Sequence, residues 1–119
     1  MNLMNLTPHP CVVFDDQGKN EIARIAPSGQ VARVKTTATV AGAVSAAGNE
    51  IPVVETVYGS VEGLPEPQDG TFYICSVLVV TALRMQGISR PDVVAPDTGP
   101  DSVVRDGEGK IAGVKRFTR

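Results

Sequence analysis

The residues with the chemistry to act on a ligand are His9, Ser76, Arg84, Arg90, Asp92 and Asp97. His9 stands between Pro8 and Pro10, whose fixed φ holds the segment extended. An imidazole presented this way suits a general base or a phosphate ligand. A lone histidine near the start of a chain equally serves as a structural or surface hydrogen-bonding group. Ser76 stands where an apolar strand pattern runs into a helix pattern. Such a junction can expose a nucleophilic hydroxyl, but Ile74-Cys75-Ser76-Val77-Leu78 lacks the flanking glycines that relieve crowding at that kind of turn. The favoured role is an N-cap, its hydroxyl accepting a backbone N–H of the next turn. The same helix start suits an anion, with Ser76 donating to phosphate.

Arg84 and Arg90 can each grip phosphate or carboxylate through a planar donor fork. Arg90-Pro91-Asp92 can hold such a contact on stiff backbone, or close on itself as an Arg–Asp ion pair. Asp92 and Asp97 are weak as paired catalytic acids, because no basic partner is tied to them. The ligand-binding set is therefore Ser76, Arg84, Arg90, His9 and Asp92, with no assigned catalytic residue. The enzymatic alternative is a small hydrolase or nucleotide-processing protein using His9 with Ser76 and an Asp, which requires them to converge within hydrogen-bond reach.

Other motifs carry less. Gly107-Glu108-Gly109-Lys110 is too short for a phosphate loop and is followed by Ile111-Ala112 rather than a Ser or Thr opening a helix. Asp106-Gly107-Glu108 is too short for a calcium loop. Lys115, Phe117 and Arg119 interleave charge and one aromatic, which is thin support for base stacking. Cys11 and Cys75 sit singly in apolar surroundings and read as buried thiols, with a disulfide between neighbouring strands as the alternative. One histidine and two separated cysteines give no metal-ligand spacing, so neither metal nor cofactor is expected.

The elements that must position these groups are mostly short strands. Cys11 to Phe14 and Glu21 to Ile25 flank Asp15-Asp16-Gln17-Gly18, a hairpin with turn chemistry at its tip. Val31 to Val40 alternates in part, placing Val31, Arg33 and Lys35 on one side. The small-residue stretch from Ala38 to Ala47 reads as a strand bent at Gly42 or as a weak helix over Ala41 to Ala47. Pro52 to Tyr58 is a further strand. Two prolines stiffen the loop Gly63 to Gly70. Thr71 to Cys75 is a central strand, apolar on both sides. Val77 to Gln86 is the main helix, stopped at Gly87, with one long strand over 72–80 as its rival. Ser102 to Arg105 and Lys110 to Thr118 make a second hairpin. The fold class is α+β: a small, mostly antiparallel β domain, a sheet or partly open barrel, with one main helix near residues 77–86.

At 119 residues the chain fits a single compact domain over 1–119. With no tryptophan, its core must come from Val, Ile, Leu and Ala. The longest apolar runs fall far short of a membrane span, and no signal segment opens the chain, although Met1 and Met4 are both candidate starts. A formal charge of −2 gives no footprint for general nucleic-acid binding. The acids concentrate in residues 35–69, where Lys35 faces Glu50, Glu55, Glu62, Glu66 and Asp69, while the last five residues carry Lys115, Arg116 and Arg119.

Read together, Asn5-Leu6-Thr7-Pro8-His9, Pro27-Ser28-Gly29, Gly63-Leu64-Pro65, Tyr73-Ile74-Cys75-Ser76, Arg90-Pro91-Asp92 and Ala95-Pro96-Asp97, with Arg105-Asp106…Gly109, carry a resemblance. The chain resembles, over nearly its whole length, a family of small uncharacterised proteins from bacteriophages, prophages and actinobacterial genomes. The resemblance implies a cytoplasmic bacterial or host-cell setting and transfers no catalytic residue. The expectation is a phage-type accessory binding protein that recognises a host protein or sequesters a small anionic, nucleotide-like ligand. Its exposed strand edges point to a homo-oligomer. A structural interaction module without a small-molecule site is the further alternative.

Overall fold

The structure is a computed structural model describing all residues from Met1 to Arg119. Ten strands and one helix follow in the order β1 (Asn2–Asn5), β2 (Cys11–Phe14), β3 (Glu21–Ile25), β4 (Arg33–Ala46), β5 (Asn49–Glu62), β6 (Thr71–Ile74), α1 (Val77–Met85), β7 (Val93–Pro96), β8 (Val103–Arg105), β9 (Ile111–Val114) and β10 (Phe117–Thr118). The expected α+β class, with mostly antiparallel strands in mixed sheets and one main helix, is the fold observed.

The centre is a strand–helix–strand unit. β6 and β7 pair in parallel, and α1 crosses between them. Parallel neighbours cannot be joined by a tight turn, so the helix supplies the return path. β1 adds in parallel on the other side of β6, and β10 adds antiparallel to β7, giving the order β1-β6-β7-β10. A second sheet, β3-β2-β9-β8, combines two antiparallel hairpins through a parallel contact between Val13 and Val114.

Strand alternation assigns the central side chains to two cores. Tyr73, Cys75, Val93 and Ala95 pack with Val79, Val80 and Leu83 of α1. Between them, Ile74 packs with Cys11 and Val13 of the second sheet, where Val94 and Phe117 also lie. β6 is thus covered by a helix on one face and a sheet on the other, which is why its sequence is apolar on both sides.

The helix begins at Ser76, whose Oγ accepts from the Val79 N–H at 3.4 Å, and it excludes the rival long strand over 72–80. It ends at Gln86, and Gly87 takes the positive φ of +70° that lets the chain leave the last turn.

Three local points are settled by the structure. Of the two readings of Ala38 to Ala47, the strand is the one observed and the weak helix over Ala41 to Ala47 is not: β4 runs unbroken to Ala46, with the register shift between Val40 and Gly42 taking up the irregularity. The return arm from Lys110 to Thr118 is split, because Lys115 and Arg116 give their N–H groups to Ser102 Oγ and β10 then joins β7. Residues 2–5, unassigned in the sequence, form a strand because β6 offers them a parallel edge.

The most conspicuous element is the β4–β5 hairpin, with 14 residues in each strand. Its root packs on the core through Val34 and Val61, while every residue from Lys35 to Val57 is exposed. This arm stretches the molecule to 53 × 39 × 22 Å and the radius of gyration to 17.2 Å. A chain of this length without such a projection has a radius of about 13.5 Å.

Cys11 and Cys75 are both buried and unbridged. Burial pushes the Cys75 thiol up to about 11. Thiolate is the reactive form, so Cys75 will resist alkylation by iodoacetamide at pH 7.5 in the folded protein and react once guanidinium unfolds it, as read by intact mass. Full labelling under native conditions at the rate of a free thiol contradicts this placement.

Candidate functional site

The segment around His9 is organised by Asn5, which is buried and fully bonded. Its amide nitrogen donates to the backbone oxygens of His9 at 2.8 Å and Ile25 at 3.0 Å. Its amide oxygen accepts from the Thr7 N–H at 2.9 Å and the Thr7 hydroxyl at 2.7 Å. The turn carrying Thr7, Pro8 and His9 is therefore fastened to the end of β1. His9 itself is exposed, and its ring makes no hydrogen bond to Ser76 or to an aspartate.

Arg90 and Asp92 close on each other. Arg90 Nε donates to Asp92 Oδ1 at 3.0 Å and Nη2 donates to Oδ2 at 2.9 Å. The same guanidinium donates to the Pro65 carbonyl at 2.8 Å and lies 6.0 Å from the Tyr73 ring centroid. The pair is mostly buried, with side-chain exposures of 13% and 16%. Arg90 thereby pins the proline loop and the start of β7 over β6. Its hydrogen bond holds the Asp92 carboxyl below the usual carboxylate range, against the opposing effect of burial. Asp97, at the other end of β7, is held by Arg116 at 2.6 Å and accepts the Gly99 N–H at 2.9 Å.

Two cavities flank α1, one at each end. At the helix end, a cavity of about 300 Å³ is bordered by Arg84, Ser89, Arg90 and Arg119. At the helix start, a cavity of about 420 Å³ lies between α1, the turn after β1 and the root of the arm. Its polar lining is Thr7, Arg33, Lys35, Glu62 and Ser76. Ser76 and the two arginines Arg84 and Arg90 are thus brought to opposite ends of α1, and His9 lines neither cavity.

The groups beside Ser76 are ones that reading the sequence for function passed over. Arg33 and Lys35 are the only cations between Arg24 and Arg84, and their two-residue spacing on a strand was the available signal. Neither is within 4.0 Å of a carboxylate. The unbonded ends of the first helical turn add a positive partial charge of about half a unit there, and a negative one at the Arg84 end.

The chain matches no family model, no curated protein and no solved structure. No group of three or more His, Cys, Asp or Glu side chains is placed to hold a metal ion, and no helix is long and apolar enough to cross a membrane.

Three outcomes follow from the polar contacts. Asn5→Ala removes the hydrogen bonds that Asn5 makes to the His9 and Ile25 carbonyls and to Thr7, and will lower stability by about 2 kcal/mol in urea unfolding. A change under 1 kcal/mol contradicts the fastening role. Arg90→Ala will cost about 2 kcal/mol, the fuller penalty of a buried pair being reduced by residual exposure. Asp92 has a lowered folded value, so its contribution is complete above its unfolded value near 4 and fades as pH falls through the folded value. The difference in stability between wild type and Asp92→Asn will therefore shrink as pH drops from 5 to 2.

Proposed function

We propose that this protein is a non-catalytic accessory binding protein that holds a small phosphate-bearing ligand in the cleft between the helix start and the arm root. The observation that carries the reading is the convergence of Arg33, Lys35, Thr7 and Ser76 on one cavity, with Glu62 as its single acid. An anion there meets two cations with no ion-pair partner, the Ser76 hydroxyl and the positive end of α1, the Thr7 proton being held by Asn5. The cleft falls within the size range of small-ligand sites.

The cavity at the other end of α1 is the weaker candidate despite its arginines. Arg90 is already satisfied by Asp92 and Pro65, Arg119 donates to the Pro91 carbonyl, and the helix presents its negative end. A nucleophilic mechanism gains no support, since Ser76 caps the helix and His9 does not contact it.

Calorimetry and thermal melts with pyrophosphate and a panel of nucleoside mono- and diphosphates test the reading. At least one ligand will raise the melting temperature, with stabilisation of about 2.7 kcal/mol when its concentration is 100 times Kd. Affinity will fall as salt rises. Arg33→Glu with Lys35→Glu will weaken binding by more than tenfold, and Arg84→Glu will leave it within twofold. The proposal is overturned if no member of the panel binds, or if Arg84→Glu abolishes binding that the double variant retains.

A further inference from the structure

The arm has two free edges, and they are not alike. β4 and β5 form a sheet of two strands only, so each has one side without a neighbour. A two-stranded ribbon is marginal in water, and an open edge is a template for a further strand. The turn decides which backbone groups each edge offers. Ala47 and Gly48 form a two-residue loop with φ of +50° and +79°. Such a loop closes on a hydrogen-bonded pair, here Ala46 and Asn49. Bonded and non-bonded pairs alternate from there, and the residues of non-bonded pairs turn their N–H and C=O groups away from the hairpin. On β5 these are Glu50, Pro52, Val54, Thr56 and Tyr58. Their partners on β4 are Ser45, Ala43, Val40, Ala38 and Thr36.

The β5 edge is blunted. Pro52 has no N–H, and it falls at an outward position, where the hairpin itself loses no bond. Glu50 and Glu55 place a charge on either side of it. Proline and charge are devices that keep an edge from pairing. The β4 edge lacks both. Residues 36–46 include no proline and no charged side chain, and all of them are exposed. The one irregularity is the extra residue Ala41, at the register shift between Val40 and Gly42.

We propose that two copies of this chain pair edge to edge through β4, antiparallel about a two-fold axis beside Ala41, and form one four-stranded sheet in the order β5-β4-β4-β5. An antiparallel pairing centred there sets the two bulges against each other, so the outward groups on both sides of them stay in step. Ala43 and Ser45 of one copy then lie along residues 36–40 of the other. The overlap begins beyond Val34 and Val61, so their packing on the core is undisturbed. It holds no charged residue, so no like charges are opposed.

The same features select the partner. Pairing β5 with β5 meets Pro52 twice and brings acidic strands together, and pairing β4 with β5 meets Pro52 once. A second β4 meets neither obstacle. The assembly also stops at two copies, because both outer edges of the new sheet are β5, with its proline and acids. The contact draws on backbone hydrogen bonds along the arm, as in strand addition generally.

Sedimentation velocity of the full chain from 1 to 100 μM, with amide hydrogen exchange of the same sample, tests this. The wild type will sediment as a dimer at the upper concentrations. There the Ala38 and Ala43 amides will exchange at least tenfold more slowly than those of Val54 and Thr56, which point outward on β5. Ala38→Pro and Thr56→Pro make a matched pair, because the two residues are directly opposed and each turns its N–H away from the hairpin. Ala38→Pro will be monomeric across the range, and Thr56→Pro will remain a dimer. Circular dichroism and urea unfolding will show that both keep the folded body. A monomeric wild type at 100 μM overturns the proposal, as does a dimer that survives Ala38→Pro or is lost in Thr56→Pro. Equal exchange at the two edges of a wild-type dimer overturns it without any variant.

Discussion

Everything in this fold depends on covering both faces of β6. Tyr73 and Cys75 point toward α1 and Ile74 points toward the second sheet. A strand with apolar side chains on both sides cannot tolerate water on either. The helix must therefore follow at once and fold back, which the Ser76 cap makes local and immediate. β7 must pair in parallel, because the chain returns to the sheet only after crossing the helix. The second sheet must dock on the remaining face. Three layers follow from one strand, and the small aliphatic cores on either side are the consequence.

Polar contacts then fix what apolar packing leaves loose. Asn5 fastens the turn after β1 to β3 through backbone carbonyls. Arg90 joins the proline loop to β6 and β7, and its carboxylate partner keeps the guanidinium from being an uncompensated charge. Ser102 accepts two backbone N–H groups where the C-terminal chain changes sheets. Each of these acts at a place where the backbone leaves regular pairing, and no buried side-chain polar atom is left without a partner.

The parts legible in the sequence were those whose signals are local. The two-sided apolar strand, the serine at the helix start, the glycine after it and the first hairpin each declare themselves within a few residues. β1 did not, because Asn2–Asn5 is short and becomes a strand only when β6 is beside it. The parallel pairing of β6 with β7 was hidden for the same reason, since parallel register is a long-range property. The stretch Ala38 to Ala47 stayed open between strand and helix because alanine suits a helix and the strand is held by its cross-strand partners. The cleft was the least legible element. Arg33 and Lys35 are more than forty positions from Ser76, and no local pattern announces that a hairpin root and a helix start will meet.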